Sequence, residues 1–308
     1  MKREVGHIDT FKYFLLPFCL FVFGLFALML AVYFSASIPI FQHEGLKIYT
    51  TNVWRASENP NKEFYGVLAA IYGSVYTSVL AVLIALPLSI SFAVFVIDYA
   101  PKKIKEPLIV ATDVMAGLPT IIYGIWGAFV LVPILKKYVM DPLYAHLSFI
   151  PLFSFKPVTG YSYLSAGVLL GIMVTPFASA IIREAYRSLP FMYREAIYSL
   201  GATRYEATKI LVKEIKPAIV AGLLLAFGRA IGETVAVSLV IGNTFNISPS
   251  LFAPGYTISS LIANQFGNAF IYKYMVSALF AAGLSLFFIG LAVNILGILI
   301  LRRYGHAR

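Results

Sequence analysis

The sequence is short of charge and nearly without cysteine and tryptophan. Among 308 residues there are two tryptophans and one cysteine, Cys19, and only 12% of residues are Asp, Glu, Lys or Arg. A lone cysteine excludes an internal disulfide, so the redox compartment is unconstrained. Soluble domains carry about 25% charged residues, and half of that cannot clothe a globular chain of this length. No Gly-Lys pair occurs anywhere. That excludes the GxxxxGK[ST] phosphate-binding loop, and with it an ATPase role for this chain. HExxH, CxxC and clustered His and Cys are absent as well, so neither a metal site nor a cofactor is expected. There is no low-complexity tract and no internal repeat, which gives no support to an inverted-repeat secondary transporter.

What the chain has in quantity is apolar surface. It is 60% hydrophobic, with a mean hydropathy of +0.83. This composition predicts an all-α, polytopic membrane protein. Apolar runs at 14–40, 67–97, 107–132, 161–182, 217–242 and 274–301 predict about six transmembrane helices. Pro87 lies inside the second run, and GLPTIIYGIWG forms the centre of the third, where a bend is expected. Between the runs lie loops 41–66, 133–160 and 243–273 on one side, the last with a short helix near 258–265. Loops 98–106 and 183–216 lie on the other side with both termini.

The formal charge of +10 would point to nucleic acid in a soluble protein. In a membrane chain it reports orientation instead, so no nucleic-acid partner is expected and lipid surrounds the chain. The termini with loops 98–106 and 183–216 hold sixteen Lys and Arg; the opposite loops hold seven, and Arg229 is the remaining one. The positive-inside rule then predicts a multi-pass cell-membrane protein with both termini cytoplasmic. The corresponding division is 1–66, an N-terminal helix with its outer loop; 67–301, a transmembrane core carrying the cytosolic loop 183–216; and 302–308, a cytosolic tail.

The stretch from 191 to 234 holds the most informative chemistry. Leu189-Pro190 breaks the preceding helix, because a residue before proline avoids the helical region. A new helix then begins near Phe191, with Glu195, Ala196, Ser199 and Ala202 on one small-residue face. Leu200-Gly201 permits a turn, and a second amphipathic helix covers 203–215. Beyond it the chain turns apolar, yet Arg229 stands twelve residues into the run. At about 1.5 Å per residue that is roughly 18 Å deep, near mid-membrane. A charge there costs about 2.5–3.5 kcal/mol on insertion scales.

Glu233 follows four residues later, on the same face of a continuous helix. Gly228 and Gly232 make a small-xxx-small stripe for close helix contact. Two readings follow: a structural ion pair between Arg229 and Glu233, or an anion contact on a translocation path, where a guanidinium fork matches oxyanion geometry. In the second reading Glu233 filters. A carboxylate can accept a proton from an oxyanion that still carries one near neutral pH, and it repels a fully ionised oxyanion. Thr234 and Asn243 add neutral hydrogen bonds. Asp113, near the start of its run, is expected at the cytosolic interface, pairing with a lysine or capping a helix. Thr77 and Ser78 are expected to bond back to the preceding helical turn.

The order Glu195-Ala196, Gly201-Ala202, then apolar Leu211 resembles the EAA loop of ATP-binding-cassette importer permeases. The chain departs from that pattern in two places. Ile197 stands where a third motif alanine is usual, and Val212-Lys213 replace Leu-Pro, with proline arriving at Pro217. Five segments, in order, are similar to the phosphate-import branch of that family: DYAPKKIKEPL; GLPTIIYGIWGAFVLVP; REAYRSLPFMYREAIYSLGATRYE; GRAIGETVAVSLVIGN; and TISSLIANQFGNA. They recur in that order between residues 98 and 269.

The resemblance implies a type I importer permease fold, with Glu195, Ala196, Gly201 and Ala202 docking an ATPase. It implies that Arg229 and Glu233 lie along the phosphate path. The implied partners are a second permease subunit, two ATPase subunits and an extracytoplasmic phosphate-binding protein. Alternatives are an importer for molybdate, tungstate or sulfate, an ion-gradient-driven carrier relaying through Arg229 and Glu233, and an intramembrane enzyme using Glu233 and Asp113.

Overall fold

The computed structural model describes residues 5–305, with side chains over 11–302. Lys2, Arg3, Arg303 and Arg308, which enter the topology reading above, lie outside the described side chains. Helix α1 (Val5–Glu44) has 40 residues, a length of about 60 Å. That is twice the roughly 30 Å hydrocarbon layer, so α1 tilts or projects. The most apolar part of α1 buries none of its residues within the chain. After α1, strands β1 (Trp54–Arg55) and β2 (Phe64–Tyr65) pair antiparallel, with Trp54 opposite Tyr65. Helix α2 (Leu68–Val94) continues past Pro87 into a wide i→i+5 turn ending at Tyr99.

The third predicted span is corrected. Helix α3 (Lys102–Gly117) stops, and Leu118 is extended at φ −66°, ψ 138°. Pro119 excludes Leu118 from the helical region, so this proline breaks the chain where only a bend was expected. The Tyr123 hydroxyl donates to the Met115 carbonyl at 2.7 Å, partnering one end of the break. Helices α4 (Thr120–Trp126), α5 (Val132–Leu135) and α6 (Asp141–Leu147) then run on as one helical stretch, Thr120–Leu147. The predicted loop 133–160 is therefore helical through Leu147. Pro133 and Pro142 each follow a wide turn, Gly127–Leu131 and Lys136–Met140, and such turns absorb a missing N–H.

Helix α7 (Tyr163–Arg187) is the most buried of the long helices. As expected, Leu189-Pro190 ends it. Helix α8 (Phe191–Ser199) and helix α9 (Arg204–Glu214) follow, joined at Gly201 with φ +78°. The fifth predicted span is also corrected. Helix α10 (Lys216–Gly232) ends at Glu233, which is extended at φ −69°, ψ 129°. A single turn, α11 (Val235–Ser238), leads into irregular chain with positive φ at Gly242 and Asn243. Helix α12 (Ile258–Phe266), as anticipated, precedes α13 (Met275–Gly305). Among the described residues, five helical runs are long and apolar enough to cross a membrane; α10 has 17 residues and is not among them.

Packing follows residue size. On α2 the buried positions Ala70, Ser74, Thr77, Ser78, Ala81, Ala85 and Ser89 form a small-residue stripe. On α7, Gly167 and Gly171 sit against Leu80 and Ile84, so the two helices close without a hydrophobic drive between them. Thr77 bonds back to the Gly73 carbonyl at 2.8 Å as expected, whereas the buried Ser78 hydroxyl has no partner. Three apolar clusters result. One joins α2, α4, α7, α10 and the chain after α11. A second ties the end of α1 and the β-ribbon to α12 and α13. A third fastens α8 and α9 to the ends of α2 and α7 through Ile182, Tyr186, Ile197, Ala207 and Leu211.

A Cβ on Gly73 would overlap the Tyr256 backbone carbonyl, whereas one on Gly290 would meet nothing. Gly73→Ala is expected to destabilise the protein by about 2 kcal/mol or more, seen as a lower melting temperature in detergent. Gly290→Ala should match or slightly exceed wild type.

Candidate functional site

The two helix breaks face each other. Gly124 lies against Leu239 and the Ala236 backbone, and Gly127 against Leu169 and Val240. The glycines of YGIWG thus let α4 seat directly on α11 and α7. Arg229 lies in the last turn of α10, where open carbonyls favour a cation. Its guanidinium stacks over the Phe177 ring of α7, 4.1 Å from the centroid. Such a contact contributes about 2 kcal/mol when desolvated.

The Arg229 Nε is buried without a hydrogen-bond partner. Among the described residues no carboxylate lies within ion-pair distance of Arg229. The group lines a cavity of about 660 Å³ shared with Asp113, Pro176, Phe177, Gly228 and Asn294. The cavity's one carboxylate, Asp113, is already engaged, 3.3 Å from Arg183 Nη2. Arg229 is therefore a partly desolvated cation without a counter-charge, facing a space large enough for a small oxyanion.

Glu233 is placed differently from the helical reading. Because α10 ends at Gly232, the four-residue spacing no longer puts Glu233 beside Arg229. Its buried carboxylate accepts the Ala236 N–H at 3.3 Å and caps α11. The Arg229–Glu233 ion pair is thus not formed. Thr234 donates to the Gly232 carbonyl at 3.3 Å, at the break itself. Asn243 donates to the Ser238 carbonyl at 2.7 Å, closing the turn after α11. Asp113 pairs with an arginine, where a lysine or a helix cap was expected. A Cβ on Gly228 or Gly232 would touch nothing, so among the described residues their stripe meets no neighbouring helix.

The predicted docking loop has two faces. Ile197, at the position that departs from the alanine pattern, is buried against the membrane helices. Glu195, Ala196 and Gly201 are exposed, and Ala202 is half-buried. Phe191, Met192 and Leu200 are also exposed, Leu200 by 88%. The turn at Gly201 leads into a capping box. Thr203 N–H donates to Glu206 Oε2 at 2.8 Å, and the Glu206 N–H returns to Thr203 Oγ1 at 3.4 Å. The Thr203 backbone and hydroxyl bonds hold the Glu206 carboxyl below its usual range.

Sequence reading passed over the groups that hold this loop. Asp98, in the wide turn after α2, accepts from Arg194 Nη1 at 2.6 Å and from the Tyr186 hydroxyl. The Arg194 guanidinium also lies over the Tyr186 ring. One carboxylate thereby ties α2, α7 and α8 together. Phe177 and Asn294 were missed too, since an aromatic after Pro176 and an amide in an apolar helix carry no positional signal. A signal was available for the break in α10: glycines and a carboxylate interrupting a hydrophobic run.

Residues 99–306 match the family described as "Binding-protein-dependent transport system inner membrane component". A "Probable phosphate transport system permease protein PstC" of Methanocaldococcus jannaschii is 63% identical over 304 residues, spanning 99% of this chain and 96% of that one. The "Phosphate transport system permease protein PstC" of Xylella fastidiosa is 41% identical over 266 residues, 85% of this chain and 80% of that protein. Among solved structures, a chain described under "Inward facing conformations of the MetNI methionine ABC transporter" is similar with a TM-score of 0.53. It is 15% identical, and the match covers 77% of this chain and 93% of that one. That likeness concerns the fold, which is the type I importer permease fold. Family membership makes this chain a transport subunit rather than an enzyme, and sets aside the gradient-driven carrier. With Gly201 at the loop turn and the helix breaks in place, the chain belongs to the inner membrane components of binding-protein-dependent transport systems.

Proposed function

We propose that this chain is a permease subunit of an ATP-driven inorganic phosphate importer, forming half of the translocation path. The observation that carries the reading is Arg229, held over Phe177 with no counter-charge in a cavity of about 660 Å³. A hydrogen phosphate ion would complete its charge, and a guanidinium gives two parallel bonds to phosphate oxygens. The names of the relatives in Methanocaldococcus jannaschii and Xylella fastidiosa support phosphate over molybdate, tungstate or sulfate. Glu233 and Thr234, at the break after α10, form the next polar step. Glu233 favours an anion that still carries a proton.

A second, PstA-like permease subunit packs on the open Gly228 and Gly232 face. Two PstB-like ATPase subunits engage this loop and its equivalent through Glu195, Ala196, Gly201 and Ala202, with Phe191, Met192 and Leu200 inserted. A PstS-like binding protein delivers phosphate to the outer face, formed by 41–66, the end of 133–160, and 243–273. Both termini lie in the cytoplasm, by the distribution of Lys and Arg. The N-terminal unit 1–66 flanks the working core 67–301, and 302–308 leads off as a cytosolic tail. When the ATPases close, the pull on α8 reaches α2 and α7 through Asp98, and the open side of the path changes.

Reconstitution with the partner subunits tests this. Arg229→Ala should lower ATP-driven phosphate uptake by about 100-fold, in line with roughly 3 kcal/mol for a charge-assisted contact, while Arg229→Lys keeps part of it. Wild-type uptake by Arg229→Ala would sink the reading. Glu233→Gln is expected to narrow the preference for phosphate over sulfate, and an unchanged preference removes the filter. Leu200→Asp should abolish co-purification with the ATPase subunits while membrane insertion stays normal.

A further inference from the structure

We propose that Arg183 is a second oxyanion station, on the cytosolic side of Arg229, held in reserve by Asp113. This inference rests on the phosphate-path reading above. Arg183 lies six residues after Phe177 on α7, about 9 Å further along the helix. Its Nη1 is buried without a partner, and its Nη2 meets Asp113 Oδ1 at 3.3 Å. The Arg183 side chain is 14% exposed and the Asp113 side chain 54%. With one partner so open to solvent, water screens the pair and weakens the hold of Asp113 on the guanidinium. A doubly charged oxyanion can therefore take the place of Asp113.

The pair also stands between two cavities. Asp113 lines the Arg229 cavity. Arg183 lines a separate one of about 480 Å³, with Lys102, Lys105, Arg187, Glu106 and Glu184. Four cations and two carboxylates leave that second cavity basic. A path with one tight site binds an ion without releasing it, whereas several weaker sites in series allow passage. Arg183 supplies such a step: the anion leaves Arg229, replaces Asp113 on Arg183, and enters the basic cavity. When the anion has gone, Asp113 closes back on the guanidinium. Glu106 and Glu184 prevent retention there. The chemistry recognised is a phosphate dianion or monoester, free in solution or on a lipid headgroup.

The test is equilibrium binding of ³²P-phosphate to the assembled complex in phosphatidylcholine nanodiscs, without the binding protein. All variants carry Arg229→Ala, so the second site is read separately from the first. Adding Asp113→Asn should tighten phosphate binding about tenfold, because the competing carboxylate charge is gone. Adding Arg183→Gln should remove that binding. Opposite shifts support the station. If both substitutions shift binding the same way, or neither shifts it, the pair is only structural and the proposal is overturned. If phosphatidic acid, whose headgroup is a phosphate monoester, displaces the phosphate when added to the nanodisc, the site belongs to lipid headgroups and the transport station is overturned too. Should Arg183→Gln not assemble, the sign of the Asp113→Asn effect decides alone. Failure of the Arg229 reading shows separately, in the uptake of Arg229→Ala.

Discussion

Non-helical backbone at membrane depth must find its hydrogen bonds inside the protein, since an unpaired group in hydrocarbon costs several kcal/mol. The chain after Gly232 is under that constraint, and the start of α7 meets it. The N–H groups of Ser162, Tyr163 and Leu164 donate to the carbonyls of Val240, Ala253 and Leu251 at 2.8–3.1 Å. These are the open donors of a helix N-terminus, so one contact satisfies both partners. The hydroxyls of Tyr72, Tyr76 and Tyr163 cover the carbonyls of Ser248, Pro249 and Asn246. With its backbone groups paired in this way, α10 can end early and leave Arg229 on its last turn. The small-residue stripe of α2 against α7 holds that N-terminus in place.

Much of this was readable from residues alone. Leu189-Pro190, Gly201 and the short helix after Thr257 each follow from local backbone rules, and the structure has all three. The two broken helices did not follow. A membrane-length apolar run is the signature of a continuous span, and 217–242 has that length. Its glycines and carboxylate mark a weak point in the run, but ending the helix there depends on α7 and α4 arriving to pair and cover the chain, which is tertiary information. For the same reason the Arg229–Glu233 spacing misled: periodicity holds only while the helix continues. The placement of Arg229 on Phe177 required knowing which aromatic of α7 faces inward.

The loop of α8 and α9 shows why a motif can be read more easily than its support. Exposed Glu195, Ala196 and Gly201 keep their character in sequence because their surroundings are solvent. Asp98 and Tyr186 carry no local pattern, being 88 residues apart in sequence and joined only in the fold. Ile197 makes the point from the other side. It departs from the alanine pattern, and it is the residue of α8 buried in the third apolar cluster.

The bare hydrocarbon on α8 has a bearing on life in the cell. Phe191, Met192 and Leu200 are largely exposed, on the side of the loop away from buried Ile197. In the proposed orientation a copy made in excess of its companions would show this patch to the cytosol, and an exposed apolar patch invites non-specific association. Burial of the same side chains on assembly would then distinguish a complete complex from a solitary subunit.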